Sequence, residues 1–349
     1  MTLEIGEKIR QLRLQRGMTQ GQLGEALGLS AQAVSKWESQ TNMPDIQLLP
    51  ELSVLLGVSI DELFSMTDDS RMERIENMIE GVRFIPDGEF ESAEHFLKEK
   101  MRSDSTKPRA TLLLAELYVQ RGKEYHELAS PLARQALLLN PDEKAAHNAI
   151  FDSERGPYMD WNVDNYVELI DFYKDFLRRH PENPRTYLWL MDLLIANGRT
   201  AEAKEVLSAM DKVEHSYRTE LYEGYIAKEE CDLPHALRCW EHMTEEFPDY
   251  WLSWASKGDC MARLCRYDEA VEYYEKALSL QPSPRYMDMP EAMAQIAEIR
   301  GDFDRAIQMH QRCIDLCRSD WNITDGEWVD VHRRAIARLQ EKKAGNRKA

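Results

Sequence analysis

Residues 19–64 read TQGQLGEALGLSAQAVSKWESQTNMPDIQLLPELSVLLGVSIDELF, and they decide the fold of the N-terminal part of the chain. Thr19 and Gln22 have the spacing of a capping box, in which each side chain bonds the other residue's backbone amide at the start of a helix. Gly28 ends that helix, and Ser30 caps the next one. Two short helices joined by so brief a turn are typical of a helix-turn-helix.

Apolar residues at helical spacing extend this pattern on both sides of the turn. A stripe over residues 5–12 predicts a first helix, and the leucines of residues 44–57 predict a fourth helix that ends at Gly57. A second capping box begins at Ser59 and predicts a short fifth helix. We therefore predict a five-helix domain over residues 1–65.

The third helix, residues 31–38, is expected to read DNA from the major groove. Val34 and Trp37 are apolar and lie three residues apart, so they should face the core. The outer side then carries Gln32, Ser35 and Lys36. A glutamine can pair with adenine through two hydrogen bonds, a lysine can donate to guanine or a phosphate, and a serine can serve either base or backbone. The alternative interpretation is a solvated helix face.

The same run of residues resembles the phage-repressor-like helix-turn-helix family, called the Cro/C1 or XRE family, across all five helices. Proteins of that family contact bases from the matching positions of the third helix, although Ala31 departs from them because it lacks a polar group. The resemblance implies that Gln20 contacts a phosphate, and that Arg13 and Glu38 form an internal salt bridge. The residues predicted to contact DNA are Gln20, Ala31, Gln32, Ser35, Lys36, Gln40, Thr41 and Asn42.

Beyond a polar, acidic stretch at residues 66–72, which is predicted to be a linker, the chain becomes repetitive. Four alanines, at positions 203, 236, 270 and 306, are spaced by 33, 34 and 36 residues. This period is typical of tetratricopeptide repeats, in which small residues let paired helices approach closely. We predict a repeat domain over residues 73–321, with an insertion in its third unit around residues 156–158, and a capping helix and tail over residues 322–349. The units are predicted to start near Arg74, Ala110, Lys144, Pro184, Tyr217, Trp251 and Met287.

The predicted fold is therefore all-α, a five-helix helix-turn-helix domain followed by a right-handed tetratricopeptide-type superhelix. The first helix of each pair should line the concave face of the superhelix. Amide, cationic, acidic and tyrosine side chains on that face suit an extended peptide. The alternative is a polar, solvated groove in a domain that serves only to dimerise. The residues predicted on this face are Tyr118, Arg121, Asn148, Asp152, Arg155, Arg185, Asp192, Tyr225, Lys228, Asp259, Arg263 and Gln295.

Charge and composition narrow the classes of function. The net charge is −18, but residues 1–65 carry only −3 of it, with five Lys and Arg against eight Asp and Glu. The acidic C-terminal region should repel DNA, so DNA contact must be local to the first domain. Phosphate-loop, dinucleotide-binding and zinc-protease motifs do not occur, so we predict a protein that is not an enzyme and needs no cofactor.

The six cysteines form no C-x-x-C pair, and no membrane segment or signal peptide is evident, so a cytoplasmic protein is expected. Cys313 and Cys317 share a helical face at a spacing of four residues, which makes a metal site conceivable. Small hydrophobic residues that fill gaps between helices are the favoured interpretation, and no metal is predicted.

The order of the two domains resembles the peptide-responsive regulators of Gram-positive bacteria, the Rgg, PlcR and PrgX group. That resemblance implies quorum sensing, in which a short secreted peptide binds the repeat groove and alters how two DNA-binding domains are held. The competing hypothesis is a DNA-binding repressor whose repeats are a protein-interaction or dimerisation scaffold without a small ligand. Both hypotheses predict a homodimer on double-stranded DNA with inverted half-sites.

Overall fold

The computed structural model of the chain describes residues 5–63, 68–155 and 165–346. Within these residues all regular structure is helical, which confirms the predicted all-α class. None of the described helices is both long and apolar enough to cross a membrane. The chain divides into two compact units, residues 1–141 and 142–349, and each unit is described by itself.

The first unit begins with the five short helices that the sequence predicts. Their core contains Ile9, Leu23, Val34, Leu52 and Leu63, none of which is exposed to solvent. Gly57 ends the fourth helix with a φ of 65°, the left-handed conformation that favours glycine. The elements are α1 (Ile5–Gln15), α2 (Gln20–Ala26), α3 (Ala31–Glu38), a 3₁₀ turn (Ile46–Leu48), α4 (Leu49–Leu56) and α5 (Ile60–Leu63).

Three longer helices complete the first unit: α6 (Asp68–Gly81), α7 (Asp87–Lys100) and α8 (Lys107–Leu139). The prediction of a linker over residues 66–72 is wrong from Asp68 onward, and residues 66–67 lie outside the described residues. Two aspartates in the first turn suit a helix N-terminus, and Met72 is 1% exposed in a cluster with Phe96 and Leu113. Burial of an apolar side chain outweighs the polar composition on which the prediction rested.

Helix α8 corrects a second prediction, the repeat that was expected to start at Ala110. A tetratricopeptide repeat needs two helices and a turn, but α8 runs unbroken for 33 residues. In four later repeats the residue five positions before the repeat alanine has a positive φ and ends the first helix; these residues are Gly198, Cys231, Cys265 and Gly301. The corresponding residue of α8 is Glu124, five positions before Ala129. It is helical, and no turn forms.

The second unit contains the regular repeats. The predicted starts at Lys144, Pro184, Tyr217 and Trp251 coincide with the first residues of helices, while Met287 caps the helix that follows it. The insertion predicted around residues 156–158 lies outside the described residues. The helices are α9 (Lys144–Glu154), α10 (Val167–Arg179), α11 (Pro184–Ala196), α12 (Thr200–Val213), α13 (Tyr217–Glu229), α14 (Leu233–Glu246), α15 (Trp251–Arg263), α16 (Tyr267–Leu280), α17 (Asp288–Ile299), α18 (Phe303–Trp321) and α19 (Glu327–Asn346).

Close packing inside each repeat explains its sequence pattern. The four repeat alanines are fully buried. A Cβ atom added to Gly224 would lie 2.2 Å from Nε1 of Trp240, and one added to Gly258 would lie 2.7 Å from the ring of Tyr274. Glycine on the first helix therefore makes room for an aromatic ring on the second. The first helix α13 also contacts the first helices α11 and α15 on either side of it, so the side chains of all three share one face.

Candidate nucleic-acid interface and repeat pocket

Helix α3 presents the side chains that the sequence assigns to DNA contact. Ser30 caps it, because its Oγ accepts a hydrogen bond of 3.2 Å from the amide of Ala33. Val34 and Trp37 are buried, as the apolar spacing predicts. Ala31, Gln32 and Lys36 are exposed, whereas Ser35 is half-buried. The exposed side chains lie on the surface that a major groove could accept.

The start of α2 carries the predicted capping box. Oγ1 of Thr19 accepts from the amide of Gln22 at 3.2 Å, and Oε1 of Gln22 accepts from the amide of Thr19 at 2.8 Å. Gln20 has a partner that the sequence did not indicate, since its Nε2 donates to Oε2 of Glu38 at 2.8 Å. Its side chain thus ties α2 to α3, and its contact with a phosphate stays a prediction.

Arg13 and Glu38 form the internal salt bridge that the resemblance implied. The Arg13 Nε lies 2.6 Å from Oε1 of Glu38, Nη2 lies 3.0 Å from Oε2, and Nη1 donates to the carbonyl of Met18. Burial raises the pKa of Glu38, but hydrogen bonds from Arg13 and Gln20 and the neighbouring positive charges outweigh burial and leave that pKa below its usual value. The pair links α1 to α3 and so helps to fix the orientation of α3 within the domain.

The turn after α3 holds the remaining predicted DNA residues. Gln40 has a φ of 58°, and the amides of Thr41 and Asn42 donate to the carbonyl of Lys36 at 3.0 and 3.1 Å. All three side chains are exposed. The turn therefore has a defined conformation that presents them beyond the C-terminal end of α3.

The second unit contains a pocket of about 370 Å³ where α11, α13 and α15 meet. Four residues predicted on the concave face line it, namely Asp192, Tyr225, Lys228 and Arg263. Asp259 lies close enough to Arg263 for their charges to interact. The sequence thus predicted several of the side chains that the structure brings together here.

Tyrosines hold Asp192, which lines the pocket, and Asp259, which precedes the lining residue Cys260 in the chain. Tyr222 donates to Oδ1 of Asp192 at 2.8 Å, and Tyr274 donates to Oδ1 of Asp259 at 2.6 Å. Burial raises the pKa of each aspartate, and these hydrogen bonds and Arg263 offset only part of the rise.

Other groups in the pocket stay neutral. Burial raises the pKa of the Tyr225 phenol far above its usual value, and it raises the pKa of the Cys260 thiol to about 12. The pocket lining thus combines the cations Lys228 and Arg263 and the carboxylates Asp192 and Glu229 with a neutral, partly aromatic wall. Such a site can bind carboxylate and amine groups of one ligand at the same time.

Two residues predicted on the concave face lie on helix α8, in the first compact unit. Tyr118 and Arg121 belong to the helix pair that does not form, and their contact with a ligand stays a prediction. The Tyr118 hydroxyl donates to Glu94 at 2.5 Å. Arg121 pairs with Asp87 at 3.0 Å and donates to the carbonyl of Ile85. Both side chains serve local packing in the first unit.

The other predicted groove residues lie apart from the pocket. Arg185 lines a separate cavity of about 290 Å³ together with Glu214 and Arg218. Gln295 is exposed on α17. Three further exposed residues lie on α9 or cap it, namely Asn148, Asp152 and Arg155. Their ligand contacts stay predictions.

Sequence reasoning missed five pocket residues: Ile195, Ala196, Glu229, Trp240 and Cys260. Trp240 comes from the second helix of its repeat and reaches the pocket because Gly224 leaves space for its ring. Its Nε1 donates to the carbonyl of Leu221 at 3.2 Å, which fixes the ring. A glycine on one helix aligned with a tryptophan on the next is the signal that could have identified this wall.

Cys313 and Cys317 are fully buried on α18. Burial raises the pKa of both thiols, which keeps them protonated. The described part of the chain contains no group of three or more His, Cys, Asp or Glu residues arranged to hold a metal ion. The two cysteines pack as small apolar side chains.

Comparisons with known proteins agree with this architecture. A family model for helix-turn-helix matches residues 9–63, and two models for tetratricopeptide repeats match residues 165–221 and 252–319. The chain thus carries an N-terminal helix-turn-helix domain of the XRE type and C-terminal tetratricopeptide repeats. Among curated relatives, the HTH-type transcriptional activator BcrR of Enterococcus faecalis is 37% identical over 89 residues, 23% of this chain and 44% of the relative. The chain thus spans less than half the length of that relative.

Two solved structures align with most of this chain at low structural similarity. A tetratricopeptide repeat protein from Parabacteroides merdae aligns with 76% of this chain and 98% of its own, at 17% identity and a TM-score of 0.37. PlcR of Bacillus thuringiensis, solved with the peptide PapR7 and DNA, aligns with 84% of this chain and 97% of its own, at 14% identity and a TM-score of 0.29.

Proposed function

We propose that this chain, which joins a helix-turn-helix domain to tetratricopeptide repeats, is a sequence-specific DNA-binding transcriptional regulator and not an enzyme. One observation carries the proposal: α3 presents an exposed Gln32 near its capped N-terminus, in a segment that matches the helix-turn-helix model. The names of the curated relatives, which are transcriptional regulators, support the same class.

In the proposed complex α3 enters the major groove with its N-terminal residues toward the bases. Gln32 hydrogen-bonds adenine through both amide atoms, and Lys36 contacts guanine or a phosphate. The buried pair of Arg13 and Glu38 keeps α3 at a fixed angle. A two-fold dimer places two such helices about 34–36 Å apart on an inverted repeat.

Substitution of Gln32 tests base reading. Gln32→Ala should weaken binding by about 1–3 kcal/mol at one base pair of the operator and relax selectivity there. Gln47→Ala is the matched control, because Gln47 is another exposed glutamine of the same domain and lies off α3. Fluorescence anisotropy of labelled DNA from upstream of the gene, with scrambled DNA as competitor, measures both. Equal losses on operator and scrambled DNA would contradict base reading by Gln32.

Gln20→Ala tests whether Gln20 positions the protein on DNA of any sequence or contributes to the recognition of particular bases. Because Gln20 lies at the start of α2 and bonds Glu38, its loss should weaken binding to all sequences similarly. The ratio of operator to scrambled affinity should stay unchanged. A change in that ratio would assign Gln20 a direct role in selectivity.

A second function is favoured by the pocket between α11, α13 and α15. We infer that it binds a short peptide and that this controls the DNA-binding dimer. The two cations can bind a carboxylate, Asp192 and Glu229 can bind an amine, and the wall of Tyr225 and Trp240 suits apolar side chains. A peptide that moves a dimer from mostly one arrangement to mostly the other must prefer the second by about 5.5 kcal/mol.

Variants in which an uncharged glutamine replaces an arginine test this second function. Arg263→Gln should abolish any response of DNA binding to a low-molecular-mass ultrafiltrate of spent culture medium, because it removes a cation from the pocket. Arg185→Gln is the matched control, since Arg185 lines a different cavity. Anisotropy with and without the ultrafiltrate measures the response. DNA binding indifferent to the ultrafiltrate in the wild-type chain would favour the alternative, a repressor whose repeats are a protein scaffold.

A further inference from the structure

The pocket between α11, α13 and α15 has four charged residues at its rim. All four are exposed, and none forms an ion pair with another residue that the structure describes. Other exposed charges of the repeats do form pairs; Lys204 lies 2.7 Å from Glu230, and Arg300 lies 2.7 Å from Asp268. Two positive and two negative charges around one opening are therefore available to a ligand. The four rim residues are Asp192, Lys228, Glu229 and Arg263.

Below this rim the floor of the pocket is apolar. Trp240 and Cys260 are each 1% exposed, and the rings of Trp240 and Tyr225 meet edge to face with their centroids 5.8 Å apart. The indole Nε1 donates to the carbonyl of Leu221 at 3.2 Å, so the ring offers a ligand apolar surface only. An apolar side chain gains free energy when it moves from water to such a surface. The floor therefore favours an apolar side chain, while the rim favours charged groups of both signs.

The volume of the pocket limits the length of a ligand that binds both signs of charge with its own two ends. A sphere of about 370 Å³ is about 9 Å across, whereas an extended peptide of seven residues separates its ends by about 20 Å at about 3.3 Å per residue. Two residues span at most about 7 Å. A longer peptide would place neutral peptide groups beside some of the rim charges, and those charges would lose water without gaining a partner.

We propose, building on the ligand-binding function inferred for this pocket, that its ligand is a zwitterion of one or two amino-acid residues with an apolar side chain. The carboxylate binds Arg263, whose guanidinium can donate two parallel N–H bonds. The ammonium group binds Asp192, because Tyr222 donates to its Oδ1 at 2.8 Å and so holds the carboxylate in place for the ligand. The apolar side chain packs on Trp240. A ligand with only one charge is disfavoured, since the rim also carries charges of the same sign.

Titration calorimetry on the full-length chain tests the length of the ligand. The probes are L-phenylalanine, the dipeptide Leu-Phe and the heptapeptide Leu-Ala-Ala-Ala-Ala-Ala-Phe, all with free ends. The better of the two short probes should bind at least about tenfold more tightly than the heptapeptide, because only a short probe brings both ends to the rim. Their order identifies whether one residue or two fill the pocket. Equal or tighter binding of the heptapeptide would overturn the proposal, as would no binding of either short probe at about 10 mM.

Blocked ends combined with variants assign each end of the ligand to its partner. Amidation of Leu-Phe removes the carboxylate charge and acetylation removes the ammonium charge, so each should weaken binding to wild type by about tenfold or more. In Arg263→Gln amidation should cost little while acetylation still weakens binding, and Asp192→Asn should show the reverse. Arg185→Gln is the matched control and should behave as wild type, because Arg185 lines another cavity. Equal losses for the free, amidated and acetylated dipeptides in both pocket variants would overturn the assignment.

Anisotropy of operator DNA separates the class of ligand from the proposed control of DNA binding. If a short probe binds in the calorimeter but leaves the affinity for DNA unchanged, the pocket binds a zwitterion and the proposed control fails. If Arg263→Gln abolishes a response to the ultrafiltrate while neither short probe binds wild type, the proposed control holds and the zwitterion is the wrong ligand.

Discussion

Helix α8 and the regular repeats of the second unit share one sequence pattern but differ in shape. The repeat with α13 and α14 and the segment of α8 both carry the repeat alanine, and the positions around it correspond. One turns at Cys231, whose φ is 66°, and the other stays helical through Glu124. The difference indicates that the turn forms where the residue five positions before the repeat alanine can adopt a left-handed conformation, and not where its contacts hold it in the helix.

The regular repeats keep their turns even where the residue is not glycine. Cys231 and Cys265 take positive φ values, although a side chain makes that conformation less favourable. Packing between the two helices of each repeat stabilises the turn enough to compensate. At Glu124 the contacts favour the helical conformation instead, because its carboxylate accepts a hydrogen bond from the backbone amide of Ile85, 39 residues earlier in the chain.

The largest expected effect on stability comes from removing the ring of Trp240, which fills the space between the two helices of a regular repeat. Trp240→Ala should destabilise the second unit by about 3–5 kcal/mol, because it leaves a cavity against Gly224. Trp189→Ala is the control, since Trp189 is 60% exposed, and it should change stability by less than about 0.5 kcal/mol. Urea unfolding followed by circular dichroism measures both. Similar losses for the two variants would show that the repeats do not depend on this packing.

A pH effect should appear at the C-terminal end of the repeats, where α19 packs on α18. Burial, and then the charge of His310, lower the pKa of His332 to about 4, even though a carboxylate oxygen of Glu291 lies 3.6 Å from its Nε2. The unfolded chain binds this proton near pH 6.5 and the folded chain only near pH 4, so stability falls as the pH falls between these values. The loss should reach roughly 3 kcal/mol.

His332→Gln separates this effect from the titration of the many carboxylates. The variant lacks the imidazole, so the fall of its melting temperature between pH 6.5 and pH 4 should be shallower than that of wild type. Scanning calorimetry at several pH values measures the two slopes. Parallel slopes would mean that His332 takes up its proton equally in the folded and unfolded chains.

A smaller effect is expected at the left-handed turns. Gly301 has a φ of 74°, so Gly301→Ala should destabilise by about 1 kcal/mol. Cys265→Gly is its converse, because it relieves the same strain at a φ of 56° and should be neutral or slightly stabilising. Thermal unfolding of the pair should move in opposite directions or leave Cys265→Gly unchanged. Destabilisation by both substitutions would contradict the role given to these turns.

The smallest expected effect on stability tests whether α8 is one continuous helix. Gly122 lies inside the helix, and a Cβ atom there would meet no other atom within 4 Å. Gly122→Ala should therefore stabilise the chain by about 0.5–1 kcal/mol, because alanine favours a helix interior more than glycine does. A hairpin that turned near residue 122 would respond with the opposite sign. Urea unfolding of the single variant decides between them.

The sequence by itself determined the elements whose signals are local. Capping boxes, glycine stops and apolar spacing placed the five N-terminal helices and the buried faces of Val34 and Trp37, and the repeat period located the starts at Pro184, Tyr217 and Trp251. These features depend on residues within one or two helical turns, or on a pattern that recurs along the chain. Backbone hydrogen bonding and side-chain burial act over the same short distances, so a linear reading detects them.

Only the tertiary structure decided features that join distant residues. The bond between Glu124 and the amide of Ile85 keeps α8 straight, the bond between Gln20 and Glu38 ties α2 to α3, and the space at Gly224 brings Trp240 to the pocket. Each of these contacts is satisfied in three dimensions by a partner that the local sequence does not specify. A buried polar group or ring takes whichever partner the fold places beside it, and that choice overrides the local preference of the chain.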